Sequence, residues 1–282
     1  MIYRKISGFS DEISESIDVQ FETLNRLKIE WFEPRGIDGT NISALSDEKV
    51  SELVTKMKKH NIKASSIGSP IGKVRLDEDF NEHFELFKRV VSIAEKLSSK
   101  YIRMFSFYHD GGSEWSDKER EEVISRLSKM IGYAKEKNIV LLHENEKDVY
   151  GDTIERCVDL MENLYCDNFK AVFDPANFVQ CGQDTLCAYS KMRPYIEYLH
   201  IKDSDEQGNV VPAGQGEGNI EEIIKGLIAD GYDGFISLEP HLGSFTGLDA
   251  LENDDKMTKL EKSDEQKFVL AFNSLNEILE RI

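Results

Sequence analysis

The sequence predicts a single (β/α)8 TIM barrel that spans residues 1–282. Eight short apolar runs alternate with longer amphipathic segments, in repeats of roughly 35 residues. Strict alternation of strands and helices indicates a parallel sheet, and eight units indicate that the sheet closes into a barrel. A length of 282 residues agrees with this architecture, because barrel domains commonly contain about 250 residues.

The apolar runs have the length and composition of buried strands. In chain order the predicted strands are Lys5–Phe9, Ile29–Glu33, Lys63–Ile67, Tyr101–Phe105, Ile139–Glu144, Lys170–Asp174, Tyr195–Ile201 and Phe235–Glu239.

The segments between the strands show the apolar spacing of amphipathic helices. Ser116 is suited to cap a helix, Asp152 begins a pattern that resembles a capping box, and Gly231 suits a left-handed residue after a helix end. The predicted helices are Val19–Leu27, Ser46–His60, Phe80–Leu97, Asp117–Lys137, Thr153–Leu164, Asp184–Met192, Asn219–Asp230 and Asp264–Ile282.

The same sequence disfavours a divided chain. No linker rich in Pro, Ser or Gly interrupts the repeats, so we expect one domain. An open doubly wound sheet is the alternative architecture, but no GxGxxG motif follows the first predicted strand, as that fold would favour.

Composition excludes several classes of function. No apolar stretch of about 18 residues is present and the first residues lack the apolar region of a signal peptide, so we expect a cytoplasmic protein without a membrane partner. The formal net charge of −18 opposes nucleic-acid binding, which requires a basic surface. The cysteines lack CxxC spacing, and we expect reduced thiols at Cys157, Cys166, Cys181 and Cys187.

Four polar residues stand at or near the ends of strands five to eight: Glu144, Asp174, His200 and Glu239. The carboxyl ends of barrel strands surround one mouth of the barrel, where active sites lie. Each residue alone can be explained as a cap, an ion-pair partner or a core histidine. Together, three carboxylates and an imidazole form a ligand set for one divalent cation, with Mn²⁺ or Mg²⁺ favoured and Zn²⁺, Co²⁺ or Fe²⁺ also compatible.

Three further residues follow this quartet at a spacing of two and therefore point to the same side of their strands. They are Glu146, Lys202 and His241. We expect all three to contact the substrate. For Glu146, an ion pair with Lys147 or Arg103 is equally consistent with the sequence.

The end of the second strand and the turn after the first carry charged residues as well. Glu33 and Arg35 are predicted either to form an ion pair within the barrel or to contact the substrate. Asp11 and Glu12 are expected to lie in a solvated turn. The glycines of Gly214–Gly218 are expected to form a tight turn, although such a loop after strand seven often binds phosphate.

Several segments resemble the xylose-isomerase-like TIM barrel superfamily, also called the sugar phosphate isomerase/epimerase family. The resemblance is specific from about Ile139 onward and lies in His143–Asp152, Phe173–Phe178, Leu199–Asp203, Pro212–Gly218 and Leu238–His241. The superfamily includes sugar isomerases and epimerases, inosose dehydratase-type enzymes and barrel apurinic endonucleases. The resemblance implies that the quartet holds one metal and that Glu144 and Glu239 also act as an acid/base pair. It also implies that homodimers or homotetramers are common.

The function implied is that of a metal-dependent isomerase or epimerase of a small polyhydroxylated substrate, a sugar or a sugar phosphate. Proton transfer next to a carbonyl would proceed through an enediolate. A dehydratase of a keto-polyol such as an inosose is the alternative with the same initial step. An abasic-DNA hydrolase and a non-catalytic sugar-binding barrel are alternatives of another class.

The chain departs from the epimerase pattern at two positions, which limits how far the epimerases' residue roles can be assigned to it. Asn177 stands where epimerases and endonucleases place a histidine, and we expect it to orient a substrate hydroxyl. The arginine that epimerases carry after their strand-seven histidine has no match, although Lys202 can supply a similar charge. With six histidines in all, the chain is poorly equipped for the endonucleases' trinuclear zinc cluster.

Overall fold

Eight strand positions follow one another in the computed structural model, which describes residues 5–109, 114–242 and 264–282. Numbered first to eighth in chain order, they are Ile6–Gly8, Trp31–Phe32, the two consecutive segments Lys63–Ala64 and Ser66–Gly68, Tyr101–Met104, Val140–Glu144, Phe169–Phe173, Ile196–Ile201 and Phe235–Leu238. Each predicted strand is therefore present.

Hydrogen bonds between parallel neighbours close these strands into a barrel. Strands three to eight pair in order, and the eighth strand pairs with the first. The second strand pairs with the Lys63–Ala64 segment of the third. The Glu33 amide donates to the Gly8 carbonyl at 2.9 Å, which connects the second strand to the first. The predicted (β/α)8 fold is confirmed.

The predicted helices also form, most within one or two residues of their expected bounds. They are Ile17–Arg26, Asp47–His60, Phe80–Leu97, Asp117–Glu136, Ile154–Leu164, Thr185–Met192, Ile220–Ala229 and Asp264–Arg281. Several short elements were not predicted from the sequence. They are the helix Pro175–Gln180, the strand pairs Gly36–Ile37 with Thr40–Asn41 and Asp203–Ser204 with Val210–Val211, and the 3₁₀ turns Ser10–Glu12, Ile42–Ala44, Tyr150–Asp152 and Arg193–Tyr195.

Capping interactions explain where two of the helices begin. Ser116 and Glu119 form a reciprocal capping box at the start of Asp117–Glu136. The capping box predicted to start at Asp152 does not form, and the helix is capped one residue later. Thr153 caps that helix by accepting from the Arg156 amide at 3.4 Å, whereas Asp152 forms an ion pair with the Arg156 side chain.

Alternation along the strands separates an apolar plug inside the barrel from a polar mouth. A buried cluster fills the barrel interior below the mouth: Val140, Leu142, Val172, Tyr198 and Phe235. Side chains two positions apart on a strand share a face. The inward face of four strands therefore passes from apolar residues to the quartet, ending at Glu144, Asp174, His200 and Glu239. A larger core packs the helices against the outer face of the sheet.

None of the helices in the described parts of the chain combines the length and hydrophobicity that a bilayer span requires.

A buried histidine supports the loop after the third strand. Gly72 has φ +90°, and a Cβ atom there would lie 2.1 Å from the Phe105 carbonyl oxygen, so only glycine fits. The Gly72 amide donates to Nε2 of His83 at 2.9 Å. Burial and the nearby Arg126 lower the pKa of His83 to about 4, so the ring is neutral and Nε2 can accept.

This contact predicts a pH-dependent contribution to stability. The folded pKa lies below the unfolded value, so His83 stabilises the fold above about pH 6.5, and this stabilisation is lost as the pH falls toward about 4. In His83→Gln the amide oxygen can still accept from Gly72 without titrating. We expect the stability difference between wild type and variant to change by about 3 kcal/mol between about pH 7 and about pH 4, measured by urea unfolding. Parallel stability curves would contradict this assignment.

Candidate metal centre at the barrel mouth

The four strand-end residues converge at the mouth, as expected from their positions in the barrel. One ligand atom from each of Glu144, Asp174, His200 and Glu239 can be chosen so that all four atoms lie within 4.8 Å of one another. His200 Nδ1 lies 3.0 Å from Oε1 of Glu144 and 3.2 Å from Oε2 of Glu239. All four side chains are buried.

Local hydrogen bonds fix the direction of Asp174. Its Oδ1 caps the short helix Pro175–Gln180 by accepting from the Asn177 amide at 2.9 Å. The side chain of Asn145 bonds to the backbone amide and carbonyl of Asp174, each at 2.9 Å. Oδ2 of Asp174 thus remains for another partner.

The donor atoms fit a divalent cation. Oε2 of Glu144, Oδ2 of Asp174 and Oε2 of Glu239 are buried, and none accepts a hydrogen bond from any residue in the described ranges. Buried carboxylate oxygens without such bonds are costly unless a cation compensates them. Three carboxylates and one imidazole match the ligand preferences of Mn²⁺, Mg²⁺ or Zn²⁺.

Glu33 supports the imidazole from behind. His200 directs Nε2 at Oε2 of Glu33 over 3.3 Å, and Glu33 also accepts from Tyr198 at 2.9 Å and from Ser237 at 2.8 Å. A carboxylate at this nitrogen favours a proton on Nε2. Nδ1, which contacts Glu144 at 3.0 Å, is then the nitrogen that a metal would take. The expected pairing of Glu33 with Arg35 is not formed among the described residues.

Arg35 instead anchors a buried network across the first, second and eighth strands. It contacts Asp11 at 2.8 Å, Glu12 at 3.1 Å and Oε1 of Glu239 at 3.4 Å. His241 donates its backbone amide to Glu12 at 2.7 Å and places Nε2 3.3 Å from Glu239 Oε1. The expectation of a solvated turn was wrong, because Asp11 is 4% exposed and Glu12 is 8% exposed.

Two further cations face the quartet. Nε of Arg103 lies 3.1 Å from Oε2 of Glu144. Nζ of Lys202 lies 3.1 Å from Oδ2 of Asp174 and 3.7 Å from Oε2 of Glu239. These cations partly offset the clustered negative charge.

Glu146 and Asn177, both predicted to contact the substrate, also have partners within the protein. Glu146 pairs with Lys73 at 2.9 Å, rather than with Arg103 or Lys147. Lys73 follows the third strand and gave no signal in the sequence. Asn177 donates its side-chain amide to the Asn145 carbonyl at 2.8 Å and approaches Oε1 of Glu144 at 3.4 Å.

The glycine loop after the seventh strand holds an internal carboxylate. Asp203 accepts from the amides of Gly214 at 2.8 Å, Gly216 at 3.0 Å and Gly218 at 2.9 Å. The loop is therefore the tight turn that the sequence favoured, and these three amides are not available to a phosphate.

Neighbouring charges shift the pKa values of Glu239 and Asp174 in opposite directions. Burial raises the pKa of Glu239, but Lys202 and His241 outweigh it and hold that pKa well below its usual range. Burial, reinforced by Glu239 and Glu144, raises the pKa of Asp174 to about 7 despite the opposing effect of Lys202. Glu239 is therefore ionised near neutral pH, whereas Asp174 retains part of a proton that a divalent cation would displace.

A small cleft opens beside the quartet. Glu239 is the quartet member that lines it. The other charged residues lining it are Arg35, Lys73, Arg103 and Glu146.

The chain belongs to the xylose isomerase-like TIM barrel family, which it matches over residues 21–260. Two curated relatives are dehydratases. Identity to the 3-dehydroshikimate dehydratase of Bacillus anthracis is 22% over 184 residues, which cover 62% of this chain and 65% of that protein. Identity to the inosose dehydratase of Clostridium tetani (strain Massachusetts / E88) is 21% over 174 residues, which cover 55% of this chain and 58% of that protein. The chain thus spans less than two thirds of either relative.

Solved structures resemble the whole barrel. The probable 3-DHS dehydratase AsbF of Bacillus anthracis has a TM-score of 0.74 at 19% identity, with 96% of this chain and 98% of that chain covered. A D-tagatose 3-epimerase-like protein has a TM-score of 0.73 at 16% identity, with coverage of 98% and 99%. The IOLI protein, solved with a zinc atom, has a TM-score of 0.75 at 17% identity and covers 98% of both chains. At these identities the likeness establishes the fold.

The quartet predicts tight binding of one Mn²⁺ per chain. Asp174→Asn removes one anionic ligand, and we expect the Kd for Mn²⁺ to rise by about 100-fold or more, beyond the effect typical of outer-shell changes. Isothermal titration and metal analysis after dialysis would measure this change. Asp148→Asn, at an exposed position on the loop after the fifth strand, is the matched control and should bind like wild type. Equal affinity in Asp174→Asn and wild type would contradict the assignment.

The contact between Glu33 and His200 predicts a second, smaller effect on the affinity for Mn²⁺. Glu33→Gln keeps the shape of the side chain but removes the charge that holds His200 Nε2, so the Kd for Mn²⁺ should rise about 10- to 100-fold. Ser237→Ala removes only one of the bonds to Glu33 and should change the Kd far less. Titration of both variants followed by Mn²⁺ electron paramagnetic resonance distinguishes the two, and an unchanged Kd in Glu33→Gln would refute the supporting role.

Proposed function

We propose that this protein is a divalent-metal-dependent dehydratase of a cyclic keto-polyol. The observation that carries the proposal is the placement of Glu239, which lines the cleft and has Nζ of Lys202 3.7 Å from its Oε2. A base and a proton donor thus stand together beside a candidate metal centre, which is the equipment that elimination of water from a hydroxy ketone requires.

In this proposal Glu144, Asp174, His200 and Glu239 hold the metal. When bound there, a divalent ion supplies Lewis acidity that makes a hydrogen next to a carbonyl more acidic. The oxygen-rich donor set favours Mn²⁺ or Mg²⁺ over Zn²⁺, Co²⁺ or Fe²⁺.

The residues of the chain carry out the proton transfers. Glu239, kept ionised by Lys202 and His241, removes the proton from the carbon next to the carbonyl. The electrons of the broken C–H bond form a C=C bond as the C–O bond to the neighbouring hydroxyl breaks. Lys202 donates a proton to the leaving hydroxide, which departs as water. No oxidant or reductant is needed, because one proton is taken up and one is given.

The curated relatives support elimination over epimerisation, since both are named dehydratases. Asn177 and the missing arginine, which depart from the epimerase pattern, support the same choice. Epimerisation or isomerisation is the second candidate. It is favoured by Glu144 and Glu239, two carboxylates that approach the cluster from the fifth and eighth strands.

The two other classes receive less support. The net charge of −18 opposes binding of abasic DNA. The described residues bring one imidazole, His200, into the candidate cluster, where a trinuclear zinc site needs several. A sugar-binding barrel without catalysis would not require an ionised carboxylate beside a buried lysine.

The reaction class is tested with the Mn²⁺-loaded protein in D₂O and a panel of ketoses, inososes and 3-dehydroshikimate, followed by NMR. We expect a product that has lost water and gained a C=C bond. Glu239→Gln should lower kcat by about 10²- to 10⁴-fold, as expected for loss of a general base, whereas Glu206→Gln at an exposed position should not. Deuterium incorporated into a ketose without loss of water would instead establish the isomerase or epimerase.

A further inference from the structure

Two cations that line the cleft lie against the same aromatic ring. Nζ of Lys73 is 4.4 Å and Cζ of Arg103 is 4.5 Å from the ring centroid of Phe105, so the two charges are at most about 9 Å apart. Both side chains are largely buried, at 9% and 5% exposure. Like charges repel each other in a site of low dielectric. Each of these two cations has one carboxylate neighbour, Glu146 for Lys73 and Glu144 for Arg103.

Arg35, the third cation that lines the cleft, is already paired with carboxylates. All three guanidinium nitrogens of Arg35 have carboxylate partners, in Asp11, Glu12 and Glu239. Arg35 therefore belongs to the framework of the site and offers little to a ligand.

Arg103 retains donor capacity. Its Nη1 donates to the Ser69 carbonyl at 3.1 Å, whereas Nη2 has no hydrogen-bond partner among the described residues. Its nearest carboxylate is Glu144, a candidate metal ligand. A divalent ion held by the quartet would neutralise Glu144 and leave the charge of Arg103 directed at the cleft.

The surroundings favour a carboxylate over a phosphate group. Glu146 pairs with Lys73 and lines the same cleft, so a dianion would meet a resident negative charge. Asp203 occupies the amides of the glycine loop that would otherwise offer a phosphate site. A guanidinium group suits a planar carboxylate, because both can form two parallel hydrogen bonds.

We propose that the cleft binds a carboxylate of the substrate between Arg103 and Lys73. Taken with the proposed function, on which this inference rests, the substrate is a cyclic keto-polyol that carries one carboxylate rather than a neutral or phosphorylated ring. This assignment distinguishes between the chemistries of the two curated relatives, because 3-dehydroshikimate is a carboxylate and an inosose is neutral.

The test uses two ligands that differ only in the carboxylate, 3,4-dihydroxybenzoate and catechol. Isothermal titration of each into the full-length, Mn²⁺-loaded protein should show at least 10-fold tighter binding of the acid. Arg103→Met and Lys73→Met should each remove most of this preference, and Arg103→Lys should retain part of it. Lys191→Met, at an exposed position away from the mouth, should leave it unchanged. Equal binding of the two ligands by wild type would overturn the proposal without recourse to any variant.

Measurement of turnover shows whether the carboxylate site or the dehydratase activity is the part that fails. Loss of water from an inosose with no preference for the carboxylated ring would overturn the carboxylate site and leave the dehydratase intact. A 10-fold preference for the acid without loss of water from either substrate would sustain the carboxylate site and refute the dehydratase.

Discussion

The burial of three carboxylates and an imidazole at the ends of four adjacent strands is the constraint on which the rest of this structure depends. Such a cluster is unstable by itself in a closed barrel. Its neighbours can be understood as compensation: Glu33 holds the far side of His200, Arg103 faces Glu144, and Lys202 approaches two of the acids. A divalent cation would complete this balance, which is why the site indicates metal chemistry before any relative is considered.

The sequence was sufficient to predict the barrel and to select the quartet. Both follow from local patterns, because apolar runs mark the strands and alternation determines which residues face inward. The fifth strand is an example. Its inward face carries the apolar Leu142 and, two residues later, the candidate metal ligand Glu144. Closure of the sheet then brings four distant segments together without further information.

The partners of the quartet could not be predicted because they depend on contacts between segments far apart in sequence. Glu33 reaches a histidine on the seventh strand, and Arg35 reaches a glutamate on the eighth. Asp11 and Glu12 look like solvated residues of a polar turn, and only the position of Arg35 explains their burial. The pairing of Glu146 with Lys73 also depends on the path of the loop after the third strand.

The geometry of the barrel mouth points to one divalent ion bound by all four strand-end residues. A crystal of the protein soaked in Mn²⁺ can be measured at an X-ray energy where manganese scatters anomalously. We expect one strong anomalous peak within coordination distance of Glu144, Asp174, His200 and Glu239. A peak elsewhere, or one that lacks any of these four ligands, would contradict this assignment.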